Sequence, residues 1–198
     1  MIKIYLEESK INSEKNNRNW EHQKGEFLLR KGVKEEYGIV LDLNTEIPVV
    51  IGKHGKPQLK AYPQIYHNIS HTEGLVACAI GNVPVGIDVE HIRPFSEKIL
   101  RRVMSEKERA CYETLDKDEK IAFFFKIWTL KESYVKAAGC GITIPLTDFS
   151  FDIKGERISS TIPEVYALQY RIKGDYILSV CTFKPTFVSF ATGSDLRS

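Results

Sequence analysis

Two acidic residues separated by a single position are the first candidates for chemistry. Asp88 and Glu90 lie within residues 85–90, where polar and apolar residues alternate as in a β-strand. Residues two apart on a strand project from the same face, so both carboxylates point one way while Ile87 and Val89 point into a core. Two like charges side by side repel each other, and a hard cation such as Mg²⁺, which prefers oxygen ligands, would remove that cost. The spacing alone favours a simpler interpretation, an acidic strand edge that faces solvent.

A predicted long helix supplies a second pair of charged residues. Apolar residues recur at helical spacing from about residue 116 to residue 138, and Gly139 is a typical helix terminator. Glu132 and Lys136 lie four positions apart, so they share one face of this helix. They could form a surface ion pair worth about 0.2–0.5 kcal/mol. Alternatively, Glu132 is a third metal ligand and Lys136 a phosphate partner one turn away, and the spacing does not decide between the two.

Several basic and polar residues lie upstream of the acidic strand, namely Lys53, His54, Lys56, Ser70 and His71. His67 and His71 could bind zinc if they lay on a helix, but their segment is typical of a strand, along which they would be about 13 Å apart. We therefore expect no zinc site. At a strand end before a turn, His71 could donate to a phosphate, or it could be an ordinary polar loop residue.

Short strands and one helix are expected to position the residues of the first half. The pattern predicts a strand at residues 2–6 and a helix at 20–37 that ends at Gly38. Strands are predicted at residues 67–71, 75–80 and 83–90. Gly81 and Asn82 are a hairpin signal, so the last two strands are expected to pair in antiparallel fashion.

Helices dominate the start of the second half and strands its end. Helices are expected from Ser96, from Ser105 and at residues 116–138. The helix from Ser105 is predicted because Ser105 and Glu108 have capping-box spacing. Further strands are predicted at residues 149–153, 165–172 and 176–183. Since strands cluster instead of alternating with helices, the fold class is α+β with antiparallel sheets. A helix followed by strands occurs twice, which suggests two similar halves.

Composition excludes several classes of protein. The 198 residues carry a net charge of +2, with 42% hydrophobic and 27% charged residues. This is the composition of one globular domain, or of two small ones sharing a core, and it argues against disorder, a nucleic-acid coat and a membrane protein. The N-terminus has no signal-peptide pattern, and the four cysteines lie 29 or more residues apart. We therefore expect reduced thiols in a cytoplasmic protein.

Taken together, these residues resemble the surfactin-type (Sfp-like) 4′-phosphopantetheinyl transferases. The matching segments occur in family order over about 80 residues. They are Gly55-Lys-Pro57, Asn68-Ile-Ser-His71, Val85-Gly-Ile-Asp-Val-Glu90, Phe95 to Glu108, and W-x-x-K-E-S-x-x-K at residues 128–136. The segments at residues 85–90 and 128–136, at this separation, are the most specific part of the match. The resemblance implies two similar α/β halves related by a pseudo-twofold axis, residues 1–84 and 85–198.

The resemblance also implies roles for individual residues. Asp88, Glu90 and Glu132 would hold Mg²⁺, and Glu108 aligns with a carboxylate proposed to activate the acceptor serine, so Glu108 and Glu132 are both candidate bases. Lys136 would act in catalysis by contacting the pyrophosphate of coenzyme A. The implied contacts to coenzyme A are Lys56, Ser70, His71, Lys131 and Lys136. Candidates for the basic cluster that holds the 3′-phosphate in this family are Lys15, Arg18, Lys24 and Arg30.

The implied reaction is Mg²⁺-dependent transfer of 4′-phosphopantetheine from coenzyme A to a serine of an apo acyl or peptidyl carrier protein, with release of adenosine 3′,5′-bisphosphate. A monomer without nucleic-acid or membrane partners is expected. The basic residues Arg93, Lys98, Arg101 and Arg102 could steer an acidic carrier protein, or form a solvated helix face. One alternative is a non-catalytic module that binds coenzyme A or a carrier protein. Another is a phosphohydrolase that cleaves coenzyme A with water.

Overall fold

The structure is a computed structural model that describes residues 1–8, 17–42, 45–52, 55–141 and 144–191, without the side chains of residues 17 and 18. Lys15, Lys53, His54 and the side chain of Arg18 therefore lie outside the described residues. The first half contains β1 (Ile2–Glu8), α1 (Asn17–Tyr37), β2 (Val49–Ile51), β3 (Pro57–Leu59), β4 (Tyr66–Thr72) and β5 (Leu75–Gly81). Gly38 ends α1 with φ +69, as predicted.

The second half begins with β6 (Val85–His91) and continues through three helices, α2 (Leu100–Val103), α3 (Glu106–Glu113) and α4 (Lys117–Ala138). It ends with β7 (Phe151–Lys154), β8 (Arg157–Ser160), β9 (Tyr166–Ile172), β10 (Tyr176–Thr182) and β11 (Val188–Phe190). Short 3₁₀ turns precede α2 and β7. Ser105 caps α3 with the predicted capping box, and Gly139 ends α4 with φ 63.

Two sheets form the framework, each with one long helix packed against it. The first sheet has the strand order β11-β1-β5-β4, and the second has the order β6-β10-β9. Helix α1 packs on the first sheet around Tyr5, Val33 and Cys78, and α4 packs on the second around Ile177 and Cys181. A third apolar cluster joins residues from both sheets. The predicted α+β class with antiparallel sheets is confirmed.

Strand pairing differs from the prediction in two places. The expected hairpin at Gly81 and Asn82 is wrong, because β5 pairs with β1 and β4 whereas β6 pairs with β10. The Gly-Asn turn instead carries the chain from one sheet to the other. Strand β11 was not predicted, and it pairs in parallel with β1, so one strand of residues 85–198 belongs to the sheet of residues 1–84.

Polar side chains bridge the two sheets at the seam where β4 runs beside β6. Asn68, Ser70 and Thr72 accept hydrogen bonds from the backbone N–H groups of Ile87, Val89 and His91 at 2.9, 3.2 and 3.3 Å. Each donor lies 19 positions after its acceptor, so the two strands run in the same direction. The side chains take the place of a backbone ladder, which keeps β6 at a side chain's distance from β4.

Within the described residues, no helix combines the length and the apolar character that crossing a membrane would require.

Candidate active site

The close approach of α4 to β6 builds the site. Gly86 lies against the helix so tightly that an added Cβ would sit 2.0 Å from the Ser133 carbonyl oxygen and 2.3 Å from the Ala137 nitrogen. Only glycine permits this contact. It places the face of α4 that carries Glu132 and Lys136 over the face of β6 that carries Asp88.

Asp88 is buried, and only one of its two carboxylate oxygens is hydrogen-bonded among the described residues. Its Oδ1 accepts from the Lys136 ammonium at 2.7 Å and from the Ser70 hydroxyl at 2.9 Å. Its Oδ2 is buried and has no hydrogen-bond partner among the described residues. Burial raises the pKa of Asp88, Lys136 and Ser70 act to lower it, and the charge of Glu90 raises it further. A buried carboxylate oxygen without a partner is costly, so this atom is the strongest local sign of a missing ligand.

Glu90 and Glu132 complete a group of three carboxylates. Glu90 accepts from Arg93 at 2.8 Å and from Thr72 at 3.3 Å, and both bonds go to the same oxygen, Oε2. Burial raises the pKa of Glu132, and the charges of Asp88 and Glu90 raise it too, while Lys136 lowers it. Repulsion from Asp88 and Glu90 therefore adds to the effect of burial on the pKa of Glu132.

The donor set fits a hard divalent cation. Three carboxylates, one of them with an orphaned buried oxygen, are the ligand chemistry that Mg²⁺ prefers. As the side chains stand, no three His, Cys, Asp or Glu residues in the described ranges are close enough to hold a metal ion together. Glu132 is only half-buried, so its carboxylate can turn toward Asp88.

A groove beside the carboxylates is lined by residues of the seam and of α4. Its lining includes Gly55, Lys56, Asn68, Glu132, Lys136 and Gly139. The Lys56 ammonium donates to the carbonyl oxygens of Val85 and Ala137 at 3.0 and 3.1 Å, so it ties the loop before β3 to β6 and to the end of α4. Burial lowers the pKa of Lys56 to about 8.

Ser70 and His71 follow each other on β4 but have different environments. Ser70 is buried, and its hydroxyl donates to Asp88 while accepting from Val89 N and from Lys136 at 3.0 Å. Its hydrogen-bonding capacity is therefore used inside the protein. His71 is exposed, and its Nδ1 lies 3.0 Å from a carboxylate oxygen of the buried Glu21.

Two predicted site residues lie elsewhere. Glu108 and Lys131 are buried and form an ion pair at 2.6 Å. The Lys131 ammonium also donates to the carbonyl oxygens of Leu146 and Phe149, so its three N–H donors all have acceptors inside the protein. Glu108 accepts from the backbone N–H groups of Ser105 and Phe151, both at 2.8 Å. Contact between Lys131 and coenzyme A does not fit this burial, and neither does Glu108 as a base.

Two of the expected 3′-phosphate contacts also have internal partners. Lys24 pairs with Glu7 at 2.8 Å. Arg30 is buried and donates to the carbonyl oxygen of Thr45 at 2.8 Å. Among the described residues, the basic cluster expected near the N-terminus is therefore not assembled from these two side chains.

Comparison with known proteins assigns the family. A family model described as the 4′-phosphopantetheinyl transferase superfamily matches residues 84–181. The 4′-phosphopantetheinyl transferase Sfp of Bacillus subtilis (strain 168) is 32% identical over 168 residues, which cover 82% of this chain and 74% of Sfp. The chain belongs to the 4′-phosphopantetheinyl transferase superfamily. The predicted family and the predicted enzyme class, a transferase, are confirmed.

Other relatives of this phosphopantetheinyl transferase share shorter stretches. The transferase gsp of Aneurinibacillus migulanus is 38% identical over 128 residues, which cover 65% of this chain and 52% of gsp. Among solved structures, a holo-(acyl-carrier-protein) synthase from Bacillus anthracis in complex with CoA is 22% identical, with a TM-score of 0.45. That match covers 50% of this chain and 93% of the synthase.

Parts of this transferase's site were not predicted from the sequence. Thr72 contacts Glu90, and Gly86 permits the approach of α4, yet neither was singled out. The sequence contains one signal for the contact with β6, which is the polar side chains of Asn68, Ser70 and Thr72 at every second position of β4. They lie on one face of the strand, and buried polar side chains need hydrogen-bond partners. Arg93 was considered only as a carrier contact, whereas it also pairs with Glu90.

Proposed function

We propose that this protein transfers the 4′-phosphopantetheine group of coenzyme A to a serine hydroxyl of an apo acyl or peptidyl carrier protein, with Mg²⁺, and releases adenosine 3′,5′-bisphosphate. The observation that carries the proposal is the buried Oδ2 of Asp88, which has no hydrogen-bond partner among the described residues, close to a groove that Glu132 and Lys136 line. The family membership supports the reaction class, and the carboxylates support the need for a cation.

Asp88, Glu90 and Glu132 would hold the cation. When bound, Mg²⁺ would withdraw negative charge from the pyrophosphate of coenzyme A, which otherwise repels an incoming nucleophile. Lys136 lines the same groove, and its side chain is 28% exposed, so its ammonium can turn from Asp88 toward a phosphate oxygen. There it would neutralise charge that develops in the transition state.

The reaction forms one bond to phosphorus and breaks another. The serine oxygen attacks the phosphorus that carries pantetheine, and the P–O bond to the bridging pyrophosphate oxygen breaks. Adenosine 3′,5′-bisphosphate leaves with that electron pair, while the serine proton passes to a base. Glu132 lines the groove, whereas Glu108 is held in the core by Lys131. We therefore assign the base to Glu132, acting through a water.

Residues of the seam would bind the nucleotide end of coenzyme A. The Lys56 ammonium has three N–H donors and uses two on backbone carbonyls, so a third can serve a phosphate at the groove. His71 is exposed beside the seam, and Glu21 orients its ring through Nδ1. His71 can then present Nε2 to a phosphate.

An acidic carrier protein would dock near the basic segment before α3. Lys98, Arg101 and Arg102 are exposed there. Charge reversal of Arg101 and Arg102 should slow carrier modification without changing the affinity for coenzyme A. Unchanged carrier kinetics would exclude steering by these residues. The expected cytoplasmic location and monomeric state belong to the same proposal.

Intact-mass spectrometry tests the proposal directly. An apo carrier protein incubated with the transferase, coenzyme A and Mg²⁺ should gain about 340 Da, the mass of one phosphopantetheine group. EDTA, Asp88→Ala or Glu132→Ala should each reduce the rate by on the order of 100-fold or more. Asp152→Ala is the matched control, because that carboxylate lies at the surface between Lys107 and Lys154.

Two other results would support the alternative functions. Binding of coenzyme A without any gain of mass, over several carriers, would indicate a binding module. Release of adenosine 3′,5′-bisphosphate without an acceptor would indicate a phosphohydrolase.

A further inference from the structure

The side chains that bridge β4 and β6 also hold the acidic residues of the site. Ser70 accepts from Val89 N and donates to Asp88, the residue before Val89. Thr72 accepts from His91 N and donates to Glu90, the residue before His91. The same arrangement thus occurs twice at a spacing of two residues, once for each carboxylate of β6.

The chemistry of a hydroxyl explains why this arrangement orients the carboxylate. A threonine hydroxyl has one donor hydrogen and two acceptor lone pairs. By accepting from His91 N at 3.3 Å, Thr72 has its oxygen placed by the backbone, and its single hydrogen is directed to Glu90 Oε2, also at 3.3 Å. Thr72, a side chain of the other sheet, therefore fixes the position of the Glu90 carboxylate relative to the β6 backbone.

We propose that Thr72 is a positioning residue for Glu90, which it holds by Oε2 so that Oε1 is directed to a divalent cation. The proposal rests on the proposed function, because it takes Glu90 as a ligand of Mg²⁺. The two oxygens of Asp88 differ in the same way. Oδ1 accepts hydrogen bonds from Ser70 and Lys136, and Oδ2 has no partner among the described residues. Among the described residues, the hydrogen bonds given for each carboxylate of the pair go to one of its two oxygens.

Arg93 also donates to Glu90 Oε2, at 2.8 Å, and to the His91 carbonyl oxygen at 3.0 Å. Its side chain is 47% exposed, however, so solvent competes for this ion pair more than for the Thr72 bond. Thr72 is only 8% exposed and lies on a strand paired along its whole length with β5. Thr72 is therefore the more buried of these two partners of Glu90.

Thr72→Val and Thr72→Ser test this role, because valine keeps the shape without the hydroxyl and serine keeps the hydroxyl. The first readout is the affinity of the protein for Mn²⁺ in the absence of substrate. The electron paramagnetic resonance signal of the free ion reports how much Mn²⁺ remains unbound. We expect Thr72→Val to weaken Mn²⁺ binding by about 10- to 100-fold, as is typical when a partner of a metal ligand is removed. Thr72→Ser should bind Mn²⁺ within about 3-fold of the unmodified protein, well short of that loss.

The second readout is the Mg²⁺ concentration that gives half-maximal carrier modification. It should rise with Thr72→Val by the same factor, and the KM for coenzyme A at saturating Mg²⁺ should change little. Thr182→Val is the matched control, since that buried hydroxyl bonds the Lys184 carbonyl and its residue pairs with Val85, at the opposite end of β6 from Glu90. It should leave Mn²⁺ binding unchanged.

The outcomes separate the two levels of the argument. Equal Mn²⁺ affinity in the unmodified protein and in Thr72→Val would overturn the role of Thr72 alone. An equal loss in Thr182→Val would also overturn it, because the effect would then be general destabilisation. If the unmodified protein binds no Mn²⁺ and transfers no phosphopantetheine in the presence of Mg²⁺, the proposed function fails, and the role of Thr72 fails with it.

Discussion

Gly86→Ala should separate the geometry of the site from the stability of the fold. The new Cβ would lie 2.0 Å from the Ser133 carbonyl oxygen, and ordinary contact begins at 3.4 Å, so α4 or β6 must move by about 1.4 Å. Neither neighbour can yield cheaply, because the atoms met are backbone atoms of a helix. The same movement would stretch the Lys136–Asp88 contact of 2.7 Å and pull Glu132 away from Asp88.

Both stability and turnover should respond. Overpacking of this kind typically costs about 1–3 kcal/mol. A displacement of about 1 Å between catalytic groups can cost on the order of 100-fold in rate. We therefore expect Gly86→Ala to fold with lowered stability and to lose phosphopantetheine transfer by about 100-fold, even at temperatures where it is fully folded.

Urea denaturation and steady-state transfer kinetics check this expectation together. Leu28→Ala is the control, because Leu28 is buried in the cluster beneath α1 and its truncation should cost about 2–5 kcal/mol without moving α4. That variant should keep near-normal transfer while folded. If Gly86→Ala were destabilised and fully active, the contact between α4 and β6 would be a packing feature, and the reasoning about the site would be refuted.

Three further expectations concern charge. Burial and the neighbouring carboxylates raise the pKa of Glu132 above 4.5, so the folded protein loses stability as pH rises from 4.5 through the raised pKa. Over this pH window, thermal unfolding should show that Glu132→Gln is more stable than the unmodified protein. Mg²⁺ should reduce this difference in stability. Burial lowers the pKa of Lys56 to about 8 from 10.5, so stability should rise between those pH values, and Lys56→Met should lack the rise. Lys131→Met would leave Glu108 charged and buried without its partner, which should cost about 3–5 kcal/mol in urea denaturation.

Local features of the fold were predictable because local chemistry determines them. The capping box of Ser105 and Glu108 and the left-handed Gly139 each involve only a few neighbouring residues, and both were predicted and are confirmed. The alternation around Asp88 likewise depends only on the pleat of a single strand. Such signals identify elements and the faces of elements.

Long-range pairing was not predictable from the same signals. The Gly81-Asn82 turn looks like a hairpin, but the partner of β6 is β10, which lies about 90 positions later in the chain. Strand β11 pairs with β1 from the other end of the chain. Pairing depends on which apolar faces can be buried together, and that is a property of both sheets and both helices at once.

Helical geometry could have corrected one site assignment. Lys131 and Glu132 are consecutive, so they point about 100° apart on α4 and cannot both face the groove. Since Glu132 and Lys136 share a face, Lys131 had to face elsewhere, and it lies in the core against Glu108 and Phe149. A motif identifies residues with a structural or functional role, whereas the helical period predicts which face of the helix each one lies on.

On the proposed function, the site must bind an anionic substrate and a cation together, and its charges bear on this requirement. Lys136 bonds Asp88 and Arg93 bonds Glu90, so each carboxylate of β6 has a cationic partner. A divalent cation held by these carboxylates would weaken both pairings, because the oxygen charge would then be shared. Lys136 and Arg93, both partly exposed, would become available to phosphate oxygens. On the proposed function, the site would therefore gain affinity for the pyrophosphate as it binds its metal, and we expect the two to bind with positive coupling.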